Sequence, residues 1–215
     1  SSNESIYFAA NTIIRMIKNI IFDFGGVLVD WNPHHLYDTY FDDKDSADWF
    51  LSNICTMDWN VQMDAGKPFE QGVAEKIAQY PQWEKEIRLY WERWIDMMGD
   101  TIPGMYDWIL QLKQQGYAIY GLTNWSTETF IQIKDKYSIF QLMDGIVMSG
   151  EERVTKPDAK IYHILLNRYQ LAPEECVFFD DNLNNVIAAQ NIGIHAVQFQ
   201  SMEQAKCELP KITLS

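Results

Sequence analysis

Four short segments of this 215-residue chain carry residues that could do chemistry together. Asp23 ends an apolar run, Ile17-Lys18-Asn19-Ile20-Ile21-Phe22, and is followed by Phe24-Gly25-Gly26-Val27-Leu28. Thr123-Asn124 ends a second apolar run, Lys156-Pro157 lies in a polar stretch, and Asp180-Asp181-Asn182 ends a third run, Cys176–Phe179. Carboxylates are hard oxygen donors that suit Mg²⁺. A threonine hydroxyl and the backbone N–H groups of a helix start suit phosphate oxygens. A lysine supplies the charge that balances both the carboxylates and a transferred phosphoryl group. Gly25 and Gly26 let backbone approach an anion closely, and Asp23 has the chemistry to attack phosphorus.

These residues are distant in sequence, so the fold must gather them. Helix and strand patterns alternate from residue 104 onward. Met105–Gln115 carries Trp108, Ile109 and Leu112 at helical spacing and is closed by Gly116. Tyr117–Thr123 reads as a strand, Glu128–Lys136 as a helix and Gly145–Met148 as a short buried strand. Pro157 opens a helix carrying Ile161, Ile164 and Leu165, and a last strand runs near His195–Phe199. This alternation predicts an α/β fold with a doubly wound parallel sheet. Ligands of such sheets sit beyond the carboxyl ends of the strands, where Asp23, Thr123 and Asp180 all fall.

Between the first strand and residue 104 the pattern changes. Trp83, Ile87, Tyr90, Trp91, Trp94, Ile95 and Met98 recur at three- and four-residue spacing, predicting one helix over 82–98. Residues 31–103 are expected to form an all-helical insert, or cap, with 17–30 and 104–215 as the Rossmann-like core. Residues 1–15 read as an N-terminal extension and 200–215 as polar sequence without a clear element.

Asp23-Phe24-Gly25-Gly26-Val27, Leu122-Thr123-Asn124, Lys156-Pro157 and Phe179-Asp180-Asp181-Asn182 resemble, in order, the four motifs of the haloacid dehalogenase superfamily of hydrolases. Ile102-Pro103-Gly104 is similar to that family's return from cap to core. The resemblance implies Asp23, Thr123 and Lys156 as catalytic groups, and Thr123, Asn124, Lys156 and Gly26 at the phosphate. It also implies Mg²⁺ held by Asp23, the Gly25 carbonyl, Asp180 and Asp181. The implied activity is Mg²⁺-dependent hydrolysis of a small phosphorylated metabolite through an aspartyl-phosphate.

One position departs from the family. Its phosphatases usually carry a second Asp two places after the nucleophile, which protonates the leaving group; that position is Gly25 here. A branch resembling bacterial sugar-1-phosphate (α-glucose-1-phosphate) phosphatases shares Asp-x-Gly with a closing Asp-Asp-Asn. An anomeric hydroxyl is an acidic leaving group that needs less help from a general acid, so a sugar phosphate is the expected substrate. Gly25→Asp is expected to raise turnover of alkyl phosphates if the side chain fits. Substitutes for the missing acid are sought in the cap: His34, His35 and Asp64, the last in an Asp64-Ala65-Gly66 loop, with Trp31, Trp59 and Trp125 as platforms for a sugar ring.

Two other readings compete. A 2-haloacid dehalogenase of the family would lack the Asp pair and carry a cap arginine, yet no arginine lies between Arg15 and Arg88. A phosphosugar-binding or regulatory protein would need Thr123 and Lys156 without turnover. A net charge of −13 argues against nucleic acid and anionic membrane surfaces as partners. Cys55, Cys176 and Cys207 lack metal-ligand spacing and read as reduced thiols, consistent with a cytoplasmic protein. No apolar run is long enough to span a membrane. A monomer or weak dimer is expected.

Overall fold

The computed structural model describes residues 16–213; the expected extension at 1–15 lies outside the described residues. The core is a five-stranded, fully parallel sheet. Its strands are β1 (Asn19–Phe22), β4 (Ala118–Thr123), β5 (Gly145–Met148), β6 (Cys176–Asp180) and β7 (His195–Gln198), in the order β5-β4-β1-β6-β7. β1 is central and buried along its whole length, the expected state of a strand covered on both faces. On one face Phe22 stacks on Phe179 with ring centroids 5.6 Å apart, and Trp108 of α6 (Met105–Gln114) meets both edge-on. On the other, Ile21 and Phe178 pack with Tyr162 and Leu165 of α9 (Ala159–Tyr169). Helices α7 (Thr127–Ile133), α8 (Ser149–Glu152) and α10 (Leu183–Ile192) complete the alternation.

The insert holds five helices: α1 (His34–Phe41), α2 (Lys44–Asn53), α3 (Met57–Asp64), α4 (Phe69–Gln79) and α5 (Glu84–Glu92). It is not helical throughout. β2 (Val29–Trp31) and β3 (Met98–Thr101) pair antiparallel, so the chain leaves and re-enters the core along one two-stranded ribbon. The helix predicted over 82–98 is likewise divided. A 3₁₀ turn at Pro81–Trp83 leads into α5, and a second at Trp94–Met97 leads into β3. A 3₁₀ turn keeps a three-residue repeat, so the apolar spacing continues where the α-helix does not.

Two further elements differ from expectation. α9 begins at Ala159, two residues beyond Pro157, because the Asp158 carboxylate caps it by accepting from the Lys160 amide. Residues 202–213 form α11 (Met202–Thr213), which buries Ala205 and Leu209 one turn apart and tolerates Pro210 inside it. Its sparse apolar pattern hid it from a periodicity reading.

Candidate active site

The sheet register sets the site. Phe22 lies opposite both Gly121 and Phe179, so Asp23, Thr123 and Asp180 emerge together at the carboxyl edge. The Asp23 amide extends the ladder by donating to the Phe179 carbonyl at 3.0 Å, after which the chain turns sharply through Phe24. That turn requires a glycine on the neighbouring strand, because a Cβ at Gly121 would sit 2.5 Å from the Phe24 ring.

Lys156 is the hub. Its Nζ donates to Asp23 Oδ1 (2.8 Å), Asp180 Oδ2 (2.8 Å) and the Leu122 carbonyl (2.9 Å), which occupies all three ammonium protons. All three charged residues are buried. Burial alone would lower the Lys156 pKa, but Asp23 and Asp180 outweigh it and hold the ammonium charged. Asn124 fixes the lysine in place: its Nδ2 donates to the Lys156 carbonyl (3.0 Å) and its Oδ1 accepts from the Lys156 amide (2.8 Å). The Asn124 side chain, expected at the phosphate, lines the cavity and also positions Lys156 through these two bonds. Asp180 is held as firmly, accepting from the Asn182 amide at 2.8 Å and from Asn185 Nδ2 at 3.0 Å.

Three carboxylates in one place demand a cation. Asp23, Asp180 and Asp181 each bring an oxygen within 4.8 Å of the others. Asp23 is pushed up to about 8, mainly by burial, against the pull of Lys156 and with the repulsion of Asp180 and Asp181. Burial and Asp180 also raise Asp181. Gly26, at φ 81°, sits against Asp181; a Cβ there would lie 2.6 Å from Asp181 Oδ2. The donor set, all hard oxygen and carrying more negative charge than Lys156 neutralises, fits a divalent cation such as Mg²⁺.

A cavity of about 620 Å³ opens over this edge, roofed by the insert. Asp23, Gly25, Gly26, Asn124, Lys156 and Asp181 form its floor. Thr123 is fully buried, and its hydroxyl has no hydrogen-bond partner, leaving a polar atom at the end of β4 free to meet a ligand.

A model of the haloacid dehalogenase-like hydrolases matches residues 17–193. The chain belongs to that family. Among curated relatives of this hydrolase, the sesquiterpene phosphatase astK of Aspergillus oryzae is 33% identical over 183 residues, covering 82% of this chain and 87% of its own. The D-ribitol-5-phosphate phosphatase of Bacteroides thetaiotaomicron is 23% identical, with 92% and 98% covered. A family enzyme from the same bacterium, solved with magnesium and inorganic phosphate, shares the fold at a TM-score of 0.68 and 19% identity, covering 86% of this chain and 96% of that one.

The cap side of this hydrolase treats the sequence candidates unequally. Trp31 and Asp64 line the cavity, together with Phe69 and Trp94. His34 does not: Nδ1 pairs with Asp38 Oδ1 (2.5 Å) and Nε2 with Asp48 Oδ1 (2.9 Å), tying α1 to α2. His35 pairs with Asp30 (2.8 Å) and also lies off the cavity. Gly66, at φ 111°, serves as a turn packed on Arg153 and Gly150 of the core rather than as cavity wall. Trp59 is buried against Tyr90, with its indole N–H on the Gly72 carbonyl at 3.1 Å.

Trp125 is a residue whose place sequence reasoning missed. Its ring fills the space beside Gly25: a Cβ on Gly25 would lie 3.3 Å from Trp125 Cζ3. Trp31 and Trp94 meet it edge-on, with centroids 6.4 and 6.0 Å away. The indole N–H groups of Trp31 and Trp125 are buried without partners. Sequence offered Trp125 as a sugar platform, but only the fold sets it against position 25.

Proposed function

We propose that this chain is a Mg²⁺-dependent phosphatase that hydrolyses a small phosphorylated metabolite through an aspartyl-phosphate on Asp23. The observation that carries the reading is the buried Lys156 joined to both Asp23 and Asp180, with Asp181 beside them. Asp23, Asp180, Asp181 and the Gly25 carbonyl would hold Mg²⁺. The cation supplies charge stabilisation to the phosphoryl oxygens. Lys156 and the Phe24 amide fix the nucleophile: Oδ1 accepts from both, each at 2.8 Å, which leaves Oδ2 to attack phosphorus. Thr123 and the backbone N–H groups after it would receive phosphoryl oxygens, with Gly26 admitting the anion closely.

A sugar phosphate remains the substrate that the missing acid at Gly25 suggests, and D-ribitol-5-phosphate phosphatase is a relative by name. The cavity walls favour a second class, the monophosphate of a largely hydrocarbon alcohol. The amides of Asn60, Asn124 and Asn185 are already engaged with protein groups. The remaining wall is apolar over Trp31, Trp94, Trp125, Phe69, Met57 and Val61, with Asp58, Thr129, Asn182 and Asn184 among its polar residues. The A. oryzae relative is named for a sesquiterpene substrate. Dehalogenation has less support, since no arginine is among the cavity residues described. We place the protein in the cytoplasm as a monomer or weak dimer; among the described residues no helix is long and apolar enough to cross a membrane.

A panel of sugar 1-phosphates, ribitol 5-phosphate and prenyl monophosphates, assayed with Mg²⁺ for released phosphate, tests the reading. Turnover of at least one class, abolished by Asp23→Asn and by chelation, is expected. Tight binding of a panel member without phosphate release would support instead a binding protein that has lost turnover.

A further inference from the structure

The phosphatase reading leaves the leaving group without a proton donor, and the cavity narrows the candidates. Its ionisable side chains are Asp23, Asp58, Asp64, Lys156 and Asp181. Asp23, Lys156 and Asp181 belong to the nucleophile and cation cluster. Asp58 is exposed. Asp64 remains.

Its position is fixed although it belongs to the cap. The Asp64 carbonyl accepts a 2.5 Å hydrogen bond from Ser149 Oγ, and the same hydroxyl accepts from the Trp125 amide at 2.9 Å. One buried serine thus ties the end of α3 to the loop after β4, two residues beyond Thr123. A second tie runs from the Phe69 amide to Glu128 Oε1 at 2.8 Å, linking α4 to α7. The carboxyl group is also oriented. The Tyr90 hydroxyl donates to Asn60 Oδ1 at 3.0 Å, which turns the Asn60 NH₂ toward Asp64 Oδ2 at 3.3 Å. Because an amide NH₂ only donates, Oδ2 accepts here, which leaves Oδ1 free to carry the proton of the neutral acid. Burial raises the Asp64 pKa well above the carboxylate range, Lys156 opposing and Asp23 adding to the effect. The surroundings therefore favour the neutral acid, within electrostatic reach of the nucleophile.

Resting on the phosphatase reading, we propose that Asp64 takes the place of the absent acid at position 25, donating a proton to the leaving oxygen and then accepting one from the attacking water. In the first half, Asp23 Oδ2 forms a bond to phosphorus as the bond to the leaving oxygen breaks. That oxygen keeps the electron pair and takes the Asp64 proton, releasing an alcohol. In the second half, water bonds to phosphorus, gives a proton to the Asp64 carboxylate, and the bond between phosphorus and Asp23 breaks. Inorganic phosphate leaves, and both aspartates return to their starting states.

The test is Asp64→Asn, nearly isosteric, assayed with Mg²⁺ on p-nitrophenyl phosphate and on n-butyl phosphate by stopped flow. An aryl leaving group needs no donor, so the variant should release about one equivalent of nitrophenolate in a burst and then stall as phosphoenzyme. Its steady state should be about 10²–10⁴-fold below that of the natural chain. On n-butyl phosphate the burst itself should be lost, and Asp64→Glu should recover part of the rate. Unchanged turnover on both esters would overturn the proposal. Loss of the nitrophenolate burst would overturn it too, showing that Asp64 holds the cap and not a proton. Failure of the natural chain to hydrolyse any ester would refute the phosphatase reading itself.

Discussion

Gly25→Asp restores to this chain the carboxyl its relatives use, and the sequence alone expects a gain on alkyl phosphates. The packing around position 25 weighs against that gain. The Cβ of any side chain at 25 would lie 3.3 Å from Trp125 Cζ3, a few tenths of an ångström inside an ordinary carbon contact, before the carboxyl is added. Trp125 has little room to yield: Trp31 and Trp94 abut it, its amide is bonded to Ser149 and its carbonyl to the Gly150 amide. Overpacking of this kind costs about 1–3 kcal/mol. At about 2–4 °C per kcal/mol for a chain of this length, Tm should fall by roughly 2–12 °C. Turnover of n-butyl phosphate should fall or stay level. Combining the change with Trp125→Phe, which removes the outer ring bearing Cζ3, should restore Tm toward that of Trp125→Phe alone and raise n-butyl phosphate turnover above it. Calorimetry and a phosphate-release assay on the four proteins decide the matter. A single Gly25→Asp variant that melts with the natural chain and gains alkyl-phosphate activity would refute the argument.

Other perturbations follow from the buried charges. Lys156→Met leaves Asp23 and Asp180 buried without their counter-charge, so it should abolish turnover and lower stability by about 3–5 kcal/mol in denaturant titrations. Asp180→Asn removes a carboxylate from the candidate cation cluster and should eliminate metal-dependent phosphate release, read with and without Mg²⁺. Gly26→Ala places a methyl at φ 81° against Asp181 and should weaken Mg²⁺ binding by calorimetry while leaving the far-ultraviolet dichroism intact. For pH, Asp23 rises from an ordinary 3.8 to about 8 on folding. The metal-free fold therefore binds that proton more tightly than the unfolded chain, and this stabilisation is complete below about pH 4 and lost as pH rises through 8. Protons and Mg²⁺ compete for the same oxygen, so the gain in Tm on adding Mg²⁺ should grow between pH 5 and 8.

The parallel core was legible because a strand buried on both faces must be apolar throughout and must end where a charge can be used. Ile20-Ile21-Phe22 before Asp23 and Val177-Phe178-Phe179 before Asp180 obey both conditions. The cap was less legible. Its aromatic stripe at 82–98 announced helical spacing, yet α5 stops at Glu92, because 3₁₀ geometry satisfies the same spacing. The ribbon of β2 and β3 was hidden because each strand has at most four residues and neither alternates cleanly.

At the site, motif order brought out the floor but could not reveal the roof. His34 and Asp64 looked equivalent on paper, each a titratable residue in the insert. The deciding difference is neighbours brought in from elsewhere: Asp38 and Asp48 engage both nitrogens of His34 away from the cavity, whereas Asn60, Tyr90 and Ser149 aim and anchor Asp64 within it. The same holds for the absence at position 25. A glycine there reads as a lost carboxyl, but Trp125, a hundred residues later, packs its indole against that position so closely that a side chain there must push the ring aside. The glycine and the tryptophan therefore constrain each other. Restoring the carboxyl without strain calls for changing both residues, whereas Asp64 offers a proton from across the cavity with no such cost.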